Sequence, residues 1–224
     1  MDGASCAIQA GIIALISGNS IYVATQTDLP VVLLSHRGPA RFQRSASGLT
    51  IKRGAGGLVT ALMGLAEHLD DAVWVCAAAT PADAAVATEH EGHSVEIAFD
   101  PQPQLVDPDE DTLGPTINVR YVEVDPGQHE AFYTQIANPL LWFVQHGLYG
   151  LATEPNITEE THRAFDEGYV PVNEQFAAAV VDEVEARGGH VVVLLQDYHF
   201  YLVGDLVRQR CPDAIISHFV HIPW

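Results

Sequence analysis

Residues 191–199 read VVVLLQDYH, in which five aliphatic residues run directly into four polar or aromatic ones. An uninterrupted apolar run of this length is typical of a strand that is buried on both faces, as in a parallel sheet. Further runs of the same character lie at residues 31–35, 73–77, 119–124 and 215–220. The sequence therefore predicts a sheet of mainly parallel strands.

Helical spacing fills the segments between these runs. One apolar stripe consists of Leu58, Ala61, Leu62, Leu65 and Leu69. A second consists of Phe165, Tyr169, Phe176, Val180 and Val184, and Pro171 is expected to kink or divide that helix. Alternating strands and helices predict a doubly wound α/β domain of the Rossmann-like kind over residues 29–224. Residues 1–28 are expected to form an extension of uncertain structure.

Composition excludes several classes of function. The 224 residues carry 29 acidic side chains against 10 Lys and Arg, a formal charge of −19, which excludes roles that track a phosphate backbone or an anionic membrane surface. No apolar stretch is long enough to span a membrane. The three cysteines, Cys6, Cys76 and Cys211, are scattered and odd in number, which favours a reducing, cytoplasmic location. Neither they nor His90, His93, His218 and His221 have a spacing that predicts a metal site.

The few basic residues are concentrated in one window. Half of them fall within residues 37–53, as Arg37, Arg41, Arg44, Lys52 and Arg53, and no acidic residue occurs between Leu29 and Ala66. This window is either a solvated face or an anion site for a phosphorylated small molecule. The following acidic stretch, residues 83–130 with the run at 107–111, is expected to be an exposed acidic loop.

Polar side chains follow three of the predicted strands directly. Arg37 lies just beyond the run at 31–35, Asp197 beyond the run at 191–195, and His221 beyond the run at 215–220. Because the carboxyl ends of parallel strands meet at one edge of a sheet, these three side chains are expected to share a crevice. The glycine loop at residues 53–57 precedes the first helix, so it is either a tight turn or a place where backbone N–H groups approach an anion.

Five motifs in order resemble a known family. They are VVLLSHRGP at 31–39, RGAGGL at 53–58, YTQIANPLLWFVQHGLY at 133–149, QDYH at 196–199 and HFVHIPW at 218–224. The set resembles the trehalose-6-phosphate synthases, which are retaining glycosyltransferases of family 20 with the GT-B fold. The resemblance implies transfer of glucose from a nucleotide sugar, UDP- or GDP-glucose, to glucose 6-phosphate, with no cofactor and no metal. It also implies a homo-oligomer as a possible assembly.

The resemblance assigns roles to matching positions. Arg37 would bind the acceptor phosphate, and Tyr133 and Trp142 would line the acceptor sugar. Gly56 and Gly57 would lie near the donor diphosphate. The remaining assignments are catalytic: Asp197 and His221 would lie beside the transferred glucose. The protein would then act by positioning and charge stabilisation, without an enzyme nucleophile.

The sequence departs from the family pattern in three respects. His36 stands where many members have asparagine, and Ala77 stands where a second tryptophan is common, so another phosphorylated acceptor, such as glycerol 3-phosphate or a cyclitol phosphate, stays open. A non-catalytic sugar-phosphate-binding domain is a further alternative. The third departure is length: the resemblance covers the N-terminal, acceptor-side domain of a GT-B enzyme. A C-terminal donor-side domain is therefore the expected partner, and the chain alone is expected to be inactive.

Overall fold

The computed structural model of the chain describes residues 15–17, 20–22, 29–46, 48–66, 69, 71–99, 116–148 and 156–222. Of the predicted extension, it describes only β1 (Leu15–Ser17) and β2 (Ser20–Tyr22), which pair with each other in antiparallel fashion. The acidic run at 107–111 lies outside the described residues. No described helix is long and apolar enough to cross a membrane.

The predicted strands and helices form in the expected order. From residue 31 to residue 98 the elements are β3 (Val31–Leu34), β4 (Ala40–Ser45), β5 (Gly48–Arg53), α1 (Gly57–Ala66), β6 (Ala72–Ala77), α2 (Pro81–Glu89) and β7 (Val95–Ala98). From residue 116 onward they are β8 (Thr116–Val122), α3 (Pro126–His129), α4 (Phe143–Gln145), α5 (Glu159–Ala164), α6 (Val170–Ala186), β9 (Val192–Gln196), α7 (Val203–Arg210) and β10 (Ile215–Phe219).

The central sheet has the strand order β10-β9-β3-β6-β8-β7. All neighbouring pairs are parallel except β7 with β8, so the prediction of a mainly parallel sheet is confirmed. The chain passes from β3 to β6 on one side, whereas β9 lies on the other side of β3. The strand order therefore reverses between β3 and β9, and in open α/β sheets ligands bind at the carboxyl ends of the strands at such a point.

Two apolar layers cover the two faces of the sheet. Residues alternate along each strand, so Val32 and Leu34 of β3 face one layer and Val31 and Leu33 face the other. The first layer is completed by α6 and α7, and the second by α1 and α2. All four of these β3 side chains are fully buried, which explains why the strand reads as a continuous apolar run.

Two helical stretches contain wider, π-helical turns. Residues Glu130–Trp142 connect α3 to α4, and Phe165–Tyr169 connect α5 to α6. Pro171 lies in the first turn of α6, directly after these wider turns. Helical conformation continues without a break from Glu159 to Ala186, so Pro171 does not divide the second helix. The wider turns before the proline make room where its ring and missing N–H would disturb a regular α-helix.

The prediction of one acidic loop over residues 83–130 is wrong for the part that the structure describes. This part contains α2, β7, β8 and the start of the next helix. Asp83 is fully buried, and its carboxylate accepts hydrogen bonds from the backbone N–H groups of Phe42 (2.6 Å), Ala79 (3.0 Å) and Thr80 (2.9 Å). The acid therefore caps α2 and holds the β4–β5 hairpin against it, a role that charge composition does not reveal.

Candidate functional site

A cavity of about 230 Å³ opens at the reversal point of the sheet. It is lined by the residues after β3, the residues after β9, the beginning of α1 and one side chain of the long helical stretch. The lining residues are 36–37, 55–59 and 197–199, together with Tyr133. Since β3 and β9 are paired in register from Val31 with Val192 to Leu34 with Leu195, their polar extensions leave the sheet side by side.

Arg37 is held at the cavity by a buried relay of hydrogen bonds. The indole N–H of the fully buried Trp74 donates to the Ser35 hydroxyl over 2.8 Å, and that hydroxyl donates to the carbonyl oxygen of Arg37 over 2.7 Å. The main chain at Arg37 is thereby fixed while its side chain remains exposed. This arrangement presents a cation to a ligand without burying the charge.

Tyr133 connects Arg37 to the rest of the cavity wall. Burial acts to raise the pKa of Tyr133, but the neighbouring side chains of Asn138 and Arg37 outweigh it and lower the pKa. The Tyr198 hydroxyl donates to Asn138 Oδ1 over 2.9 Å. These polar groups thus lie together beside the cavity.

The beginning of α1 supplies backbone donors to the same cavity. Gly56 has φ +127°, a conformation that residues with a Cβ rarely adopt, and α1 begins at Gly57 directly after it. The first N–H groups of a helix have no partner within the helix and carry a partial positive charge. The glycine loop therefore lines the cavity at the N-terminus of a helix.

Asp197 has a strained backbone at the end of β9. Its φ of 72° and ψ of 171° fall in a region that is essentially reserved for glycine. Its N–H donates to the carbonyl of Phe219 over 2.7 Å, and its carboxylate accepts from the N–H of Tyr198 over 3.1 Å. Strain of this kind persists only where the surroundings impose it, and it is concentrated at functional sites.

His221 lies just beyond β10, near Asp197 but not on the cavity wall. Its Nε2–H donates to Gln196 Oε1 over 2.8 Å. Burial lowers the pKa of His221, and the Asp197 carboxylate opposes this by raising it. His218 donates instead to the carbonyl of Asp197 over 2.9 Å, so the two histidines have different partners. In the described part of the chain, no group of three His, Cys, Asp or Glu could hold a metal.

The rings of His36, His129 and His199 surround Tyr133. From the sequence, His36 is singled out, but no role is assigned to the other two. His36 stacks on Tyr133 (centroids 4.7 Å apart), on His199 (5.1 Å) and on His129 (5.4 Å). Burial lowers the pKa of His36 well below its usual value and that of His199 to about 3. His199 was visible in the QDYH motif, but His129 is 93 residues from His36 in sequence and no local pattern signals their contact.

The structure brings five of the seven predicted site residues together. Arg37, Gly56, Gly57, Tyr133 and Asp197 line the cavity. His221 and Trp142 do not line it. His221 lies near Asp197, and Trp142 has about a third of its surface exposed and its ring against His146 (centroids 4.0 Å apart). The other four residues of the basic window lie on the β4–β5 hairpin, where Arg44 and Lys52 are exposed. Of that window, only Arg37 lines the cavity.

Sequence comparison identifies one family over nearly the whole described domain. The family model "Glycosyltransferase family 20" matches residues 29–224. Among curated relatives, a trehalose-6-phosphate synthase of Mycobacterium ulcerans is 33% identical over 198 residues, which are 88% of this chain. One of Mycolicibacterium smegmatis is 29% identical over 210 residues. The chain spans about a third of the length of each (33%).

Solved structures of trehalose-6-phosphate synthases have the same fold. An enzyme from Burkholderia multivorans superimposes with a TM-score of 0.55 at 17% identity, over 89% of this chain and 34% of its own. An E. coli structure bound with UDP-2-fluoro glucose gives a TM-score of 0.52, and a Burkholderia xenovorans enzyme in complex with glucose-6-phosphate gives 0.51, both at 17% identity. These two matches cover 87% and 86% of this chain, respectively, and 33% of each neighbour's own chain. The match of the family model over residues 29–224, with the GT-B neighbours that share the sheet, shows that this chain belongs to glycosyltransferase family 20.

Proposed function

We propose that this chain provides the acceptor side of the active site of a trehalose-6-phosphate synthase, and that the cavity between β3 and β9 binds glucose 6-phosphate. The observation that carries the proposal is the placement of Arg37, an exposed guanidinium that lines the cavity together with Tyr133, whose pKa it helps to lower. A guanidinium has five N–H donors, so it can hold a phosphate through two parallel hydrogen bonds and still have donors left for a neighbouring hydroxyl.

The sugar ring of the acceptor would lie along the Tyr133 side of the cavity. A flat ring with a hydroxyl at its tip suits a sugar, whose faces are apolar and whose edges are polar. Trp142 keeps its assignment as an acceptor-lining residue in this proposal. Because its ring does not line the cavity, Trp142 would contact the acceptor only after a rearrangement of the helical stretch Glu130–Trp142.

The donor sugar would approach from the α1 side. The N-terminus of α1, with Gly56 and Gly57, would face the diphosphate of UDP- or GDP-glucose. Asp197 and His221 would lie beside the transferred glucose, where a carboxylate stabilises positive charge developing on the sugar and an imidazole N–H donates to a hydroxyl. The groups that grip the nucleotide would come from the two thirds of the relatives that these residues do not match.

Transfer would proceed with retention at the anomeric carbon. The anomeric hydroxyl of glucose 6-phosphate would attack on the face from which the nucleoside diphosphate leaves. Its proton would pass to the departing phosphate oxygen, so no enzyme nucleophile is needed. The residues of this chain would contribute by holding the acceptor in line with the donor.

A second acceptor class follows from the residues at two positions. His36 and Ala77 stand where many family members have asparagine and tryptophan, and Ala77 is buried beside the cavity-lining His36. Glycerol 3-phosphate and a cyclitol phosphate are smaller or differently shaped phosphorylated acceptors. Turnover of these two and of glucose 6-phosphate by one enzyme ranks the alternatives directly.

The proposed function is tested by joining residues 1–224 to the C-terminal part of a family relative and measuring transfer from UDP- and GDP-glucose. We expect transfer to glucose 6-phosphate by the fusion and none by residues 1–224 alone. Asp197→Ala and His221→Ala should lower kcat far more than they raise the acceptor KM. The matched controls Asp213→Ala and His93→Ala, whose side chains are exposed, should leave both constants unchanged. An effect confined to acceptor KM would contradict the assigned roles.

A further inference from the structure

The histidines around Tyr133 form a cluster that the proposed reaction does not use. In this histidine cluster, defined as His36, His129 and His199, the rings of His36 and His199 are nearly parallel (5°) and both line the cavity. His36 Nε2 lies 3.2 Å from His129 Nε2, so one ring donates a hydrogen bond and the other accepts it. His36 and His129 are half-buried and His199 is buried, and of the three only His129 does not line the cavity.

Two buried ring nitrogens of the cluster have no hydrogen-bond partner among the described residues. They are Nδ1 of His36 and Nε2 of His199. A buried polar atom without a partner is costly, and natural structures keep such atoms rarely and mostly for function. Since both rings line the same cavity as Arg37, a ligand in that cavity is the partner that would satisfy them.

Charged groups of both signs surround the cluster, and the positive ones act on His36. The β3–β4 segment contributes Arg37 and Arg41, and both lower the pKa of His36 after burial and the two other histidines. The helix contributes Glu130, which raises the pKa of His129 against the lowering by burial. The segment after β9 contributes Asp197 and Tyr198 to the cavity wall.

An anion in the cavity would favour a positive charge on the histidine cluster. Without a ligand the three rings are neutral near pH 7, because burial lowers the pKa of each and Arg37 lowers those of His36 and His199 further. A dianion held by Arg37 would place two negative charges beside the same rings, and a positive charge on the cluster would then be favoured. The two Nε2 atoms at 3.2 Å allow one added charge to be shared across His36 and His129.

We propose that a dianion bound beside Arg37 draws one proton from solvent onto the His36–His129 pair, so that ligand binding in this cavity is coupled to proton uptake. The proton adds to an imidazole nitrogen lone pair at the solvent-facing His129, and no other bond is broken. The buried nitrogens of His36 and His199 become hydrogen-bond partners of the ligand. For glucose 6-phosphate as the ligand, the inference rests on the proposed function.

Titration calorimetry of the 224-residue chain tests the coupling with two probes. Inorganic sulfate is a dianion that does not itself titrate near pH 7, and glucose 6-phosphate is the proposed acceptor. Heats measured in buffers of different ionisation enthalpy give the number of protons taken up per ligand. We expect net uptake with sulfate, and sulfate affinity that rises on the order of tenfold from pH 8 to pH 6.

Three variants make the test specific. His36→Asn and His129→Gln should each reduce the pH dependence of sulfate affinity to less than about threefold. His93→Asn, which removes an exposed histidine far along the chain, should behave like the wild type. A second measurement, circular dichroism, establishes that each variant is folded.

The outcomes separate this inference from the proposed function. Sulfate binding with proton uptake, together with glucose 6-phosphate binding no tighter than sulfate, would uphold the coupling and contradict the acceptor assignment. Glucose 6-phosphate binding without proton uptake, after correction for its own phosphate, would overturn the coupling. Absence of sulfate binding at every pH, or wild-type pH dependence in folded His36→Asn and His129→Gln, would overturn it as well.

Discussion

The imidazole of His218 donates from Nε2 to the carbonyl oxygen of Asp197, 2.9 Å away, at the point where the backbone of Asp197 has φ 72°. A second hydrogen bond, from the N–H of Asp197 to the carbonyl of Phe219, pins the same residue from the neighbouring strand. β10 thus holds Asp197 in a conformation that costs about 1–3 kcal/mol for a residue with a Cβ. Asp197 therefore lines the cavity at the expense of stability.

The strain at Asp197 predicts an inverted order of stability between two variants. Asp197→Gly and Asp197→Ala both remove the carboxylate, but only glycine removes the Cβ that makes this backbone conformation costly. We therefore expect Asp197→Gly to be more stable than Asp197→Ala by about 1–2 kcal/mol in urea unfolding. Glycine is normally the less stable of the two by roughly 0.5–1 kcal/mol. That normal order at residue 197 would show that the backbone is not strained.

The relay beneath Arg37 predicts a loss of stability from a small substitution. Ser35→Ala leaves both the indole N–H of Trp74 and the carbonyl of Arg37 without their buried partner. We expect the free energy of unfolding to fall by about 1–3 kcal/mol. The control Ser217→Ala removes an exposed hydroxyl from β10 and should change it by less than about 0.5 kcal/mol. Equal effects of the two variants in urea unfolding would contradict the relay.

The lowered pKa of His199 predicts how stability depends on pH. The unfolded chain protonates this histidine below its ordinary pKa of about 6.5, whereas the folded chain keeps it neutral down to about 3. Below pH 6.5 the unfolded state therefore binds more protons than the folded state. As the pH is lowered, this group reduces the free energy of unfolding by up to about 1.4 kcal/mol per pH unit.

Urea unfolding of wild type and His199→Asn between pH 7.5 and pH 4.5 measures that contribution. The variant loses ring stacking and is expected to be less stable at pH 7.5, but its stability should fall less steeply below pH 6.5. His93→Asn should keep the slope of the wild type, because His93 is exposed. Parallel slopes for wild type and His199→Asn would contradict a neutral buried imidazole.

Much of the site could be predicted because it depends on strand ends. The apolar runs before Arg37 and Asp197 are long enough to specify buried parallel strands, and the topology then places their following residues together. The glycine loop was visible for a similar reason, since Gly56 precedes a clear helical stripe. These inferences need only local sequence and one rule of sheet geometry.

The remaining features depend on contacts between distant segments. His129 reaches His36 only because the helical stretch after β8 crosses the end of β3, and no periodicity in the sequence encodes that crossing. In the sequence, nothing distinguishes Asp83 from a surface acid, because its role depends on hydrogen bonds that its carboxylate accepts from three backbone N–H groups. Trp142 does not line the cavity, and its position depends on the path of a π-helical stretch that no local sequence pattern predicts.

Calorimetric titration of Arg37 variants tests the central claim most directly. A charge-assisted contact to phosphate is worth roughly 1.5–3 kcal/mol, or about 10- to 150-fold in affinity. Arg37→Ala should weaken glucose 6-phosphate binding by that factor and leave the binding of glucose unchanged. Arg37→Lys should recover only part of the loss, because an ammonium cannot form two parallel hydrogen bonds.

The matched control for this measurement is Arg44→Ala, which removes an exposed positive charge of the same basic window from the β4–β5 hairpin. We expect glucose 6-phosphate affinity within about twofold of the wild type for this variant, since an exposed, distant charge is screened by salt. A phosphate site at Arg37 predicts a large loss for Arg37→Ala with glucose 6-phosphate alone. Equal weakening for glucose and glucose 6-phosphate, or equal effects of Arg37→Ala and Arg44→Ala, would contradict it.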